Sequence, residues 1–121
     1  MKILLDHCLD VRAKRLFEGH DISHTRDEGW KSLANGKLLS AAAAAGFVVM
    51  VTADKNIRYQ QNLAALPLAV LELDLPRNRF QDIATLAPSF PAALENTRRF
   101  AFVSIKADGT IECLAERASG G

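Results

Sequence analysis

Two aspartates in this chain stand directly behind short apolar runs. Asp6 follows the apolar residues 3–5, and Asp54 follows the apolar run 47–51 after two intervening residues. Carboxylates bind divalent cations, and in some proteins they accept phosphoryl groups, so both kinds of chemistry are open to this pair. The polar residues that come next are His7 after the first aspartate, and Lys55 and Asn56 after the second.

The runs before these aspartates have the composition of strands that are buried on both faces. They are short and apolar, which in an α/β protein indicates parallel strands inside a sheet. Ligands of such sheets bind outside the carboxyl ends of the strands. The sequence therefore predicts that Asp6 and Asp54 lie at one edge of the sheet, where an active site would be built.

The rest of the chain alternates between helical and strand patterns. Alternation over 20–25 predicts a half-exposed edge strand with His20 and His24 exposed. Five consecutive alanines within 35–45 predict a helix that is capped by Asn35. Asp-Gly at 108–109 suits the tight turn of a hairpin. Further predictions are helices over 9–17, 58–66, 80–86 and 92–100, a loop over 26–33, and strands over 68–73, 101–105 and 110–114.

This order of elements predicts an α/β fold. We expect a three-layer α/β/α sandwich with a mostly parallel central sheet, right-handed crossovers and the first strand at its centre. A chain of 121 residues, 49% of them hydrophobic, is long enough for one such domain and too short for two. The domain is expected to span 1–118, followed by a disordered tail over 119–121.

The overall composition excludes several classes of protein. A formal net charge of +1 gives no global field toward nucleic acid or acidic membranes, so an anionic partner must be held locally. Asp6 and His7 interrupt the N-terminal apolar stretch too early for a signal peptide or a membrane span, which predicts a cytoplasmic protein without membrane contact. Cys8 and Cys113 provide neither a disulfide framework nor a zinc site.

Four segments of the sequence resemble a family of small bacterial PIN-like proteins. They are Lys2-Ile3-Leu4-Leu5-Asp6-His7, Glu28-Gly29-Trp30, Leu33-Ala34-Asn35-Gly36-Lys37-Leu38-Leu39, and Gly46-Phe47 continuing to Asp54-Lys55-Asn56-Ile57-Arg58-Tyr59-Gln60-Gln61-Asn62-Leu63. The resemblance spans roughly the first three-quarters of the chain. Its most specific part is the Asp-Lys-Asn sequence with the Tyr-Gln-Gln-Asn sequence that follows.

The resemblance implies a PIN fold and a nuclease that cleaves single-stranded RNA with Mg²⁺ or Mn²⁺. Asp6 matches the first aspartate of PIN domains and Asp54 matches the late one, so these two are the implied metal ligands. Together with Asn35 they form the implied catalytic set. Members of the family are often encoded beside antitoxins, which implies a toxin with a small antitoxin protein as its partner. A homodimer is an alternative assembly.

Three positions depart from the PIN pattern. Asn35 replaces the acid that active PIN domains place at the start of the helix, Asn56 replaces an acid in the following loop, and Lys37 stands where many relatives carry glutamate. The site is therefore less acidic than that of an active PIN nuclease. Two functions stay open: a ribonuclease with an altered metal preference, and a weakened PIN-like module that binds RNA or a cognate protein without turnover.

The implied RNA-binding residues are polar or aromatic side chains around the two aspartates. Lysine meets phosphate, a tyrosine ring stacks on a base, and amides form hydrogen bonds with it. The residues are Lys55, Asn56, Tyr59, Gln61 and His7. Structural roles are equally open for three members of the site. His7 would orient Asp6 by a hydrogen bond, Asn35 would cap its helix, and Tyr59 would pack the loop.

A receiver-like phosphoacceptor is a third hypothesis, since aspartates after the first and third parallel strands suit that chemistry. His7 weakens it, because His7 stands where a second acid is needed. Basic residues would form a phosphate-binding track if they gathered around the pocket. They are Arg12, Lys14 and Arg15, with Arg77, Arg79, Arg98 and Arg99 elsewhere in the chain.

Overall fold

The fold is a six-stranded sheet with helices on both faces, seen in a computed structural model that describes residues 1–97 and 100–116. The strands are β1 (Lys2–Leu5), β2 (Asp21–His24), β3 (Val49–Thr52), β4 (Ala69–Asp74), β5 (Phe102–Lys106) and β6 (Ile111–Ala115). Their order is β2-β1-β3-β4-β5-β6, and all neighbours are parallel except β5 and β6. The predicted α/β class with a mostly parallel sheet is confirmed. The predicted tail, Arg98 and Arg99 lie outside the described residues.

Short helices connect the strands. The α-helices are α1 (Thr25–Glu28), α2 (Asn35–Ala44), α3 (Ile57–Gln60), α4 (Phe80–Thr85) and α5 (Phe90–Glu95), and the 3₁₀ helices are Val11–Phe17, Leu63–Ala65 and Ala87–Ser89. The helix predicted over 9–17 is therefore a tighter 3₁₀ helix, and the one predicted over 58–66 is divided in two. α5 begins before the predicted residue 92, because Pro91 needs no N–H partner in a first helical turn.

Part of the predicted loop over 26–33 is helical, and a histidine begins that helix. The His24 side chain accepts a hydrogen bond from the backbone of Arg26, while Asp27 reaches back to the His24 backbone. His24 is buried, and its Nε2 lies 2.9 Å from the carbonyl oxygen of Leu9. The prediction that His24 is exposed is wrong, because the ring replaces the usual small polar residue at the start of α1.

The two faces of the sheet are covered by different helices. On one face, which we call the α4–α5 face, strand residues such as Leu5, Val51 and Leu71 pack with α4, α5 and the 3₁₀ helix Val11–Phe17. On the other, the α2–α3 face, the neighbouring strand residues pack with α2 and with Ile57 of α3. Successive residues of a strand point to opposite faces, so the apolar strands bury both sides. The layers are helix, sheet and helix.

The connections from β3 to β4 and from β4 to β5 cross opposite faces of the sheet. Both move in the same direction across the strand order, but the first carries α3 and the second carries α4 and α5. Two such crossovers have opposite hands, so the prediction of uniformly right-handed crossovers is wrong. On the α4–α5 face, Phe90 of α5 stacks on Phe17 with 4.4 Å between ring centroids, so the β4–β5 connection is packed against the 3₁₀ helix Val11–Phe17. β1 is interior but not central; the central pair is β3 and β4.

Candidate active site at the carboxyl edge of the sheet

Polar residues interrupt the apolar α2–α3 face near the carboxyl ends of its strands. Thr52, Glu72 and Ser104 are neighbours in one row across β3, β4 and β5, and all three are fully buried. Asp6 follows β1, and Asp54 lies two residues after the end of β3. β1 is flanked by β2 and β3, so the chain changes direction in the strand order beside Asp6. Crevices at such switch points are the usual ligand sites of α/β sheets.

Asp6 is fully buried, and protein donors surround its carboxylate. One oxygen accepts from the His7 backbone at 2.7 Å and lies 2.9 Å from His7 Nδ1. The other accepts from Thr52 Oγ1 at 2.8 Å and from Cys8 Sγ at 3.6 Å. A carboxylate offers about four lone-pair positions, and these three hydrogen bonds use most of them. The His7 ring lies against the same carboxylate, and its orienting role stays a prediction.

Cys8 is a half-buried thiol beside this aspartate. Burial, together with the negative charge of Asp6, raises the pKa of Cys8 to about 11. Its sulfur accepts a hydrogen bond from the backbone of Ala53 at 3.4 Å. Cys8 therefore remains a protonated thiol at neutral pH, and it joins the loop after β1 to the loop after β3.

Asp54 is half-buried and more open than Asp6. Its Oδ1 accepts from the Asn56 backbone at 3.0 Å, and its Oδ2 accepts from Asn35 Nδ2 at 3.2 Å. Its own backbone N–H donates to Thr52 Oγ1 at 3.0 Å. Because Thr52 also donates to Asp6, a chain of two hydrogen bonds links the two aspartates. From the described residues each Asp54 oxygen accepts one hydrogen bond, which leaves it a second lone-pair position for a ligand.

Asn35 is the first residue of α2 rather than its cap. The capping position belongs to Ala34, which makes no side-chain hydrogen bond to the helix. The Asn35 amide instead donates to Asp54 and, at 3.2 Å, to Gln60 Oε1. The prediction that Asn35 caps α2 is wrong, because its amide is directed at the neighbouring loop. Asn35 and Asp54 are therefore brought together, as the implied site requires.

Lys55 contacts a carboxylate that the sequence did not single out. Its Nζ lies 3.0 Å from Asp74 Oδ1, at the end of β4, and this hydrogen bond lowers the pKa of Asp74. Lys55 is about half exposed. It thus joins the loop after β3 to the end of β4, and it is placed to meet an anion without leaving the site.

A buried ion pair lies behind this loop. Glu72, in the central strand β4, is fully buried and accepts two hydrogen bonds from Arg58 of α3 and one of 2.9 Å from Ser104 Oγ. The hydrogen bond to Glu72 raises the pKa of Arg58. This pair was not predicted from the sequence. Its only signal was a glutamate inside the apolar run 68–73.

The segment after Asp54 presents its remaining side chains in different ways. Tyr59 is 81% exposed, so the packing role considered for it is not seen. Gln61 is half-buried, and its amide lies close to Gly36 of α2. Trp30 lies edge-on to Phe47 with 6.0 Å between ring centroids, which is a packing contact. Among the RNA-binding candidates, Tyr59 is therefore the more accessible ring, since the His7 side chain is 46% exposed.

A groove of about 350 Å³ opens between the loop after β3 and the loop after β4. We call it the carboxyl-edge groove; its lining residues are Ala53, Asp54, Lys55 and Asn56 on one side and Leu75, Pro76, Arg77 and Asn78 on the other. Most of the predicted phosphate track does not reach it. Arg12 pairs with Asp10 and Lys14 with Asp27 elsewhere on the surface.

The site has the oxygen chemistry for one hard cation. Among residues 1–97 and 100–116, no three His, Cys, Asp or Glu side chains come together as a metal-binding group. Asp54 nevertheless lines the groove with Asn56, whose side chain has one amide oxygen, and Mg²⁺ is often held by one carboxylate, water and substrate oxygens. Asp6 would bind the ion directly only if His7 moved, so its role as a ligand stays a prediction.

Comparison with known proteins leaves the chain without an assigned relative. No protein-family model, no curated protein and no solved structure matches it. Within the described part of the chain, no helix is both long enough and apolar enough to cross a membrane. The residues of the site are therefore the basis for assigning a function to this chain.

Proposed function

We propose that this chain is a PIN-like, metal-dependent ribonuclease that cleaves single-stranded RNA in the cytoplasm, as the toxin of a toxin–antitoxin pair. One observation carries the proposal: Asp6 and Asp54 follow adjacent parallel strands at a switch point and are joined through Thr52. The PIN-like resemblance of the sequence supplies the reaction and the antitoxin partner.

In this proposal Asp54 is the main protein ligand of Mg²⁺ or Mn²⁺, with the amide oxygen of Asn56 beside it, while the Asn35 amide holds the Asp54 carboxylate by donating to its Oδ2. When bound, the ion activates water and stabilises charge on the phosphate. Asp6 positions the Asp54 loop through Thr52. Lys55 meets the RNA phosphate, while the exposed ring of Tyr59 stacks on a base. Gln61 and His7 complete the contacts with the strand.

Cleavage of a mixed pool of single-stranded RNA, with Mg²⁺, with Mn²⁺ or with a chelator, tests this proposal. The variant Asp54→Asn should cleave at least about 10²-fold more slowly, since even indirect partners of a metal site cost 10- to 100-fold when removed. The matched control is Asp21→Asn, an exposed aspartate at the opposite end of the sheet, which should retain full activity. Equal cleavage by both variants would show that the site lies elsewhere.

A second candidate function is binding of RNA without turnover. It is favoured by the hydrogen bond from Asn35 to Asp54, in which the Asn35 amide occupies the Oδ2 atom of Asp54. An acid at position 35 would instead bind a metal ion together with that oxygen. Fluorescence anisotropy of labelled single-stranded RNA in chelator measures this binding. Tight binding with no cleavage in any metal would select this candidate over the nuclease.

A further inference from the structure

We propose that Arg77 is the phosphate anchor of the carboxyl-edge groove. It would hold one phosphodiester of a bound single strand, next to the phosphate that faces Asp54 across the groove. The choice of single-stranded RNA as the ligand rests on the proposed function, whereas phosphate binding by Arg77 rests on the geometry of the groove itself.

Arg77 occupies the wall opposite the loop that carries Asp54. That wall is the segment from Leu75 to Asn78, between β4 and α4, and Arg77 is its only cationic residue. The facing wall contains Asp54 and Lys55. A phosphate chain that runs along the groove therefore passes between a carboxylate that can hold a cation and a guanidinium.

Arg77 differs from other described cations near this edge in forming no ion pair with a carboxylate, although its charge helps to lower the pKa of Asp82, which is lowered mainly by Arg79. Lys55 pairs with Asp74, Arg58 with Glu72, and Arg79 with Asp82. In the part of the chain that the structure describes, Arg77 makes neither a hydrogen bond nor an ion pair, and it is exposed. Its five N–H donors are thus available to an incoming anion.

The backbone on both sides of Arg77 is fixed. Leu75 is buried in the core of the α4–α5 face, and Asn78 Nδ2 donates to the carbonyl oxygen of Cys8 at 2.7 Å. Pro76 restricts the backbone between them. Only the side chain of Arg77 must therefore become ordered when a ligand binds, which lowers the entropic cost of forming a bidentate contact with phosphate.

The test is the salt dependence of binding to a labelled single-stranded RNA, measured by anisotropy in chelator so that no metal contributes. Each phosphate contact on a single strand contributes about 0.7 to the slope of log K against log salt. We expect Arg77→Gln to reduce the slope by about 0.7, and Arg77→Lys to retain it. The matched control Arg12→Gln removes a cation that is paired with Asp10 away from the groove, and it should leave the slope unchanged.

If the wild type binds RNA and Arg77→Gln has the same slope as the wild type, this inference is overturned while the proposed function stands. If the wild type does not bind RNA at all, the proposed function fails, and inorganic diphosphate becomes the probe. The side-chain Nε resonance of Arg77 should then shift on titration with diphosphate, and that of Arg79 should not. An unmoved Arg77 resonance would overturn phosphate binding as well.

Discussion

Glu72 carries a charge in the middle of a parallel sheet, where water cannot reach it. Burial of a lone carboxylate costs several kcal/mol, and the ion pair with Arg58 and the hydrogen bond from Ser104 offset that cost. The same pair attaches α3 to β4, and α3 directly follows the loop that contains Asp54. A structural ion pair thus controls where the candidate site residues lie.

The variant Glu72→Ala should lower the free energy of unfolding by about 3–5 kcal/mol, because it leaves the Arg58 guanidinium without its buried partner. Urea denaturation measures the change. The double variant Glu72→Leu, Arg58→Leu should recover most of the loss, since no unpaired charge remains. A loss as large in the double variant as in the single one would contradict this account of the pair.

The two cysteines should differ strongly in reactivity toward a disulfide reagent. With a pKa of about 11, roughly a thousandth of Cys8 is thiolate at pH 8. Cys113 is exposed on β6. We expect Cys113 to react at once at pH 8, and Cys8 to react only after denaturation or as the pH rises toward 11. Two equally fast thiols in the folded protein would contradict the burial of Cys8.

At the scale of elements, strands were easier to predict than helix ends. The apolar runs 47–51 and 68–73 predicted the ends of β3 and β4 to within two residues. A strand that is buried on both faces can be recognised because its local composition is continuously apolar. The helix ends depended on particular side chains. His24 and Pro91 begin α1 and α5, while Asn35 turned away from its helix toward Asp54. Such choices are decided by tertiary contacts that a local pattern does not contain.

The candidate site likewise has one part that was predicted from the sequence and one part that was not. Its two aspartates were predicted at one edge of the sheet, since each follows a recognisable strand. Arg58 and Glu72, by contrast, are 14 residues apart in sequence and meet only because α3 folds back over β4. The opposing wall of the groove depends on where the loop after β4 packs. These contacts can be predicted only when the order of the strands in the sheet is known, and local sequence patterns do not give that order.

The variant Asn35→Asp tests whether α2 and the loop after β3 together can build a metal site. Its carboxylate would replace an amide whose nitrogen is 3.2 Å from Asp54 Oδ2, so the two acids would repel without metal and chelate a cation together. The melting temperature should fall in chelator and rise with Mn²⁺. At 100 times the dissociation constant the expected gain in stability is about 2.7 kcal/mol.

Asn62→Asp is the matched control for that experiment. Asn62 is exposed, and its side chain accepts a hydrogen bond from Ala64 at the start of a 3₁₀ helix, a role that aspartate also fills. Its melting temperature should not respond to Mn²⁺. If Asn35→Asp is as insensitive to Mn²⁺ as this control, the arrangement of Asn35 and Asp54 is unsuited to a shared ion.

For the whole molecule, the sheet determines how stability is distributed. β3 and β4 are central, and apart from the half-buried Asp74 at the end of β4 their residues are buried, whereas β6 is an edge strand with exposed and half-exposed residues. Backbone amides exchange slowly where opening exposes the core and quickly where local fraying suffices. The strand order thus predicts that the protection of backbone amides from exchange falls from the central strands toward β6.

Hydrogen exchange followed by NMR should find the slowest amides in β3 and β4 and the fastest strand amides in β6. The slow set should report global unfolding, so its exchange free energy should match the value from urea denaturation. Destabilisation by Glu72→Ala should lower protection of β3 and β4 by the same amount. Protection that is uniform from β2 to β6 would contradict the predicted gradient.

The β3–β4 and β4–β5 crossovers, which have opposite hands, cover opposite faces of the sheet, and this affects how the chain can fold as it is synthesised. When the ribosome has made β4, strands β1 to β4 and their α2–α3 cover are complete, but α4 and α5 are still to come. Val51, Leu71 and Leu73 then lie on a sheet face whose cover is incomplete. For that interval the nascent chain presents an apolar surface, and folding chaperones bind surfaces of this kind. Completion of α5 removes that surface and ends the need for protection.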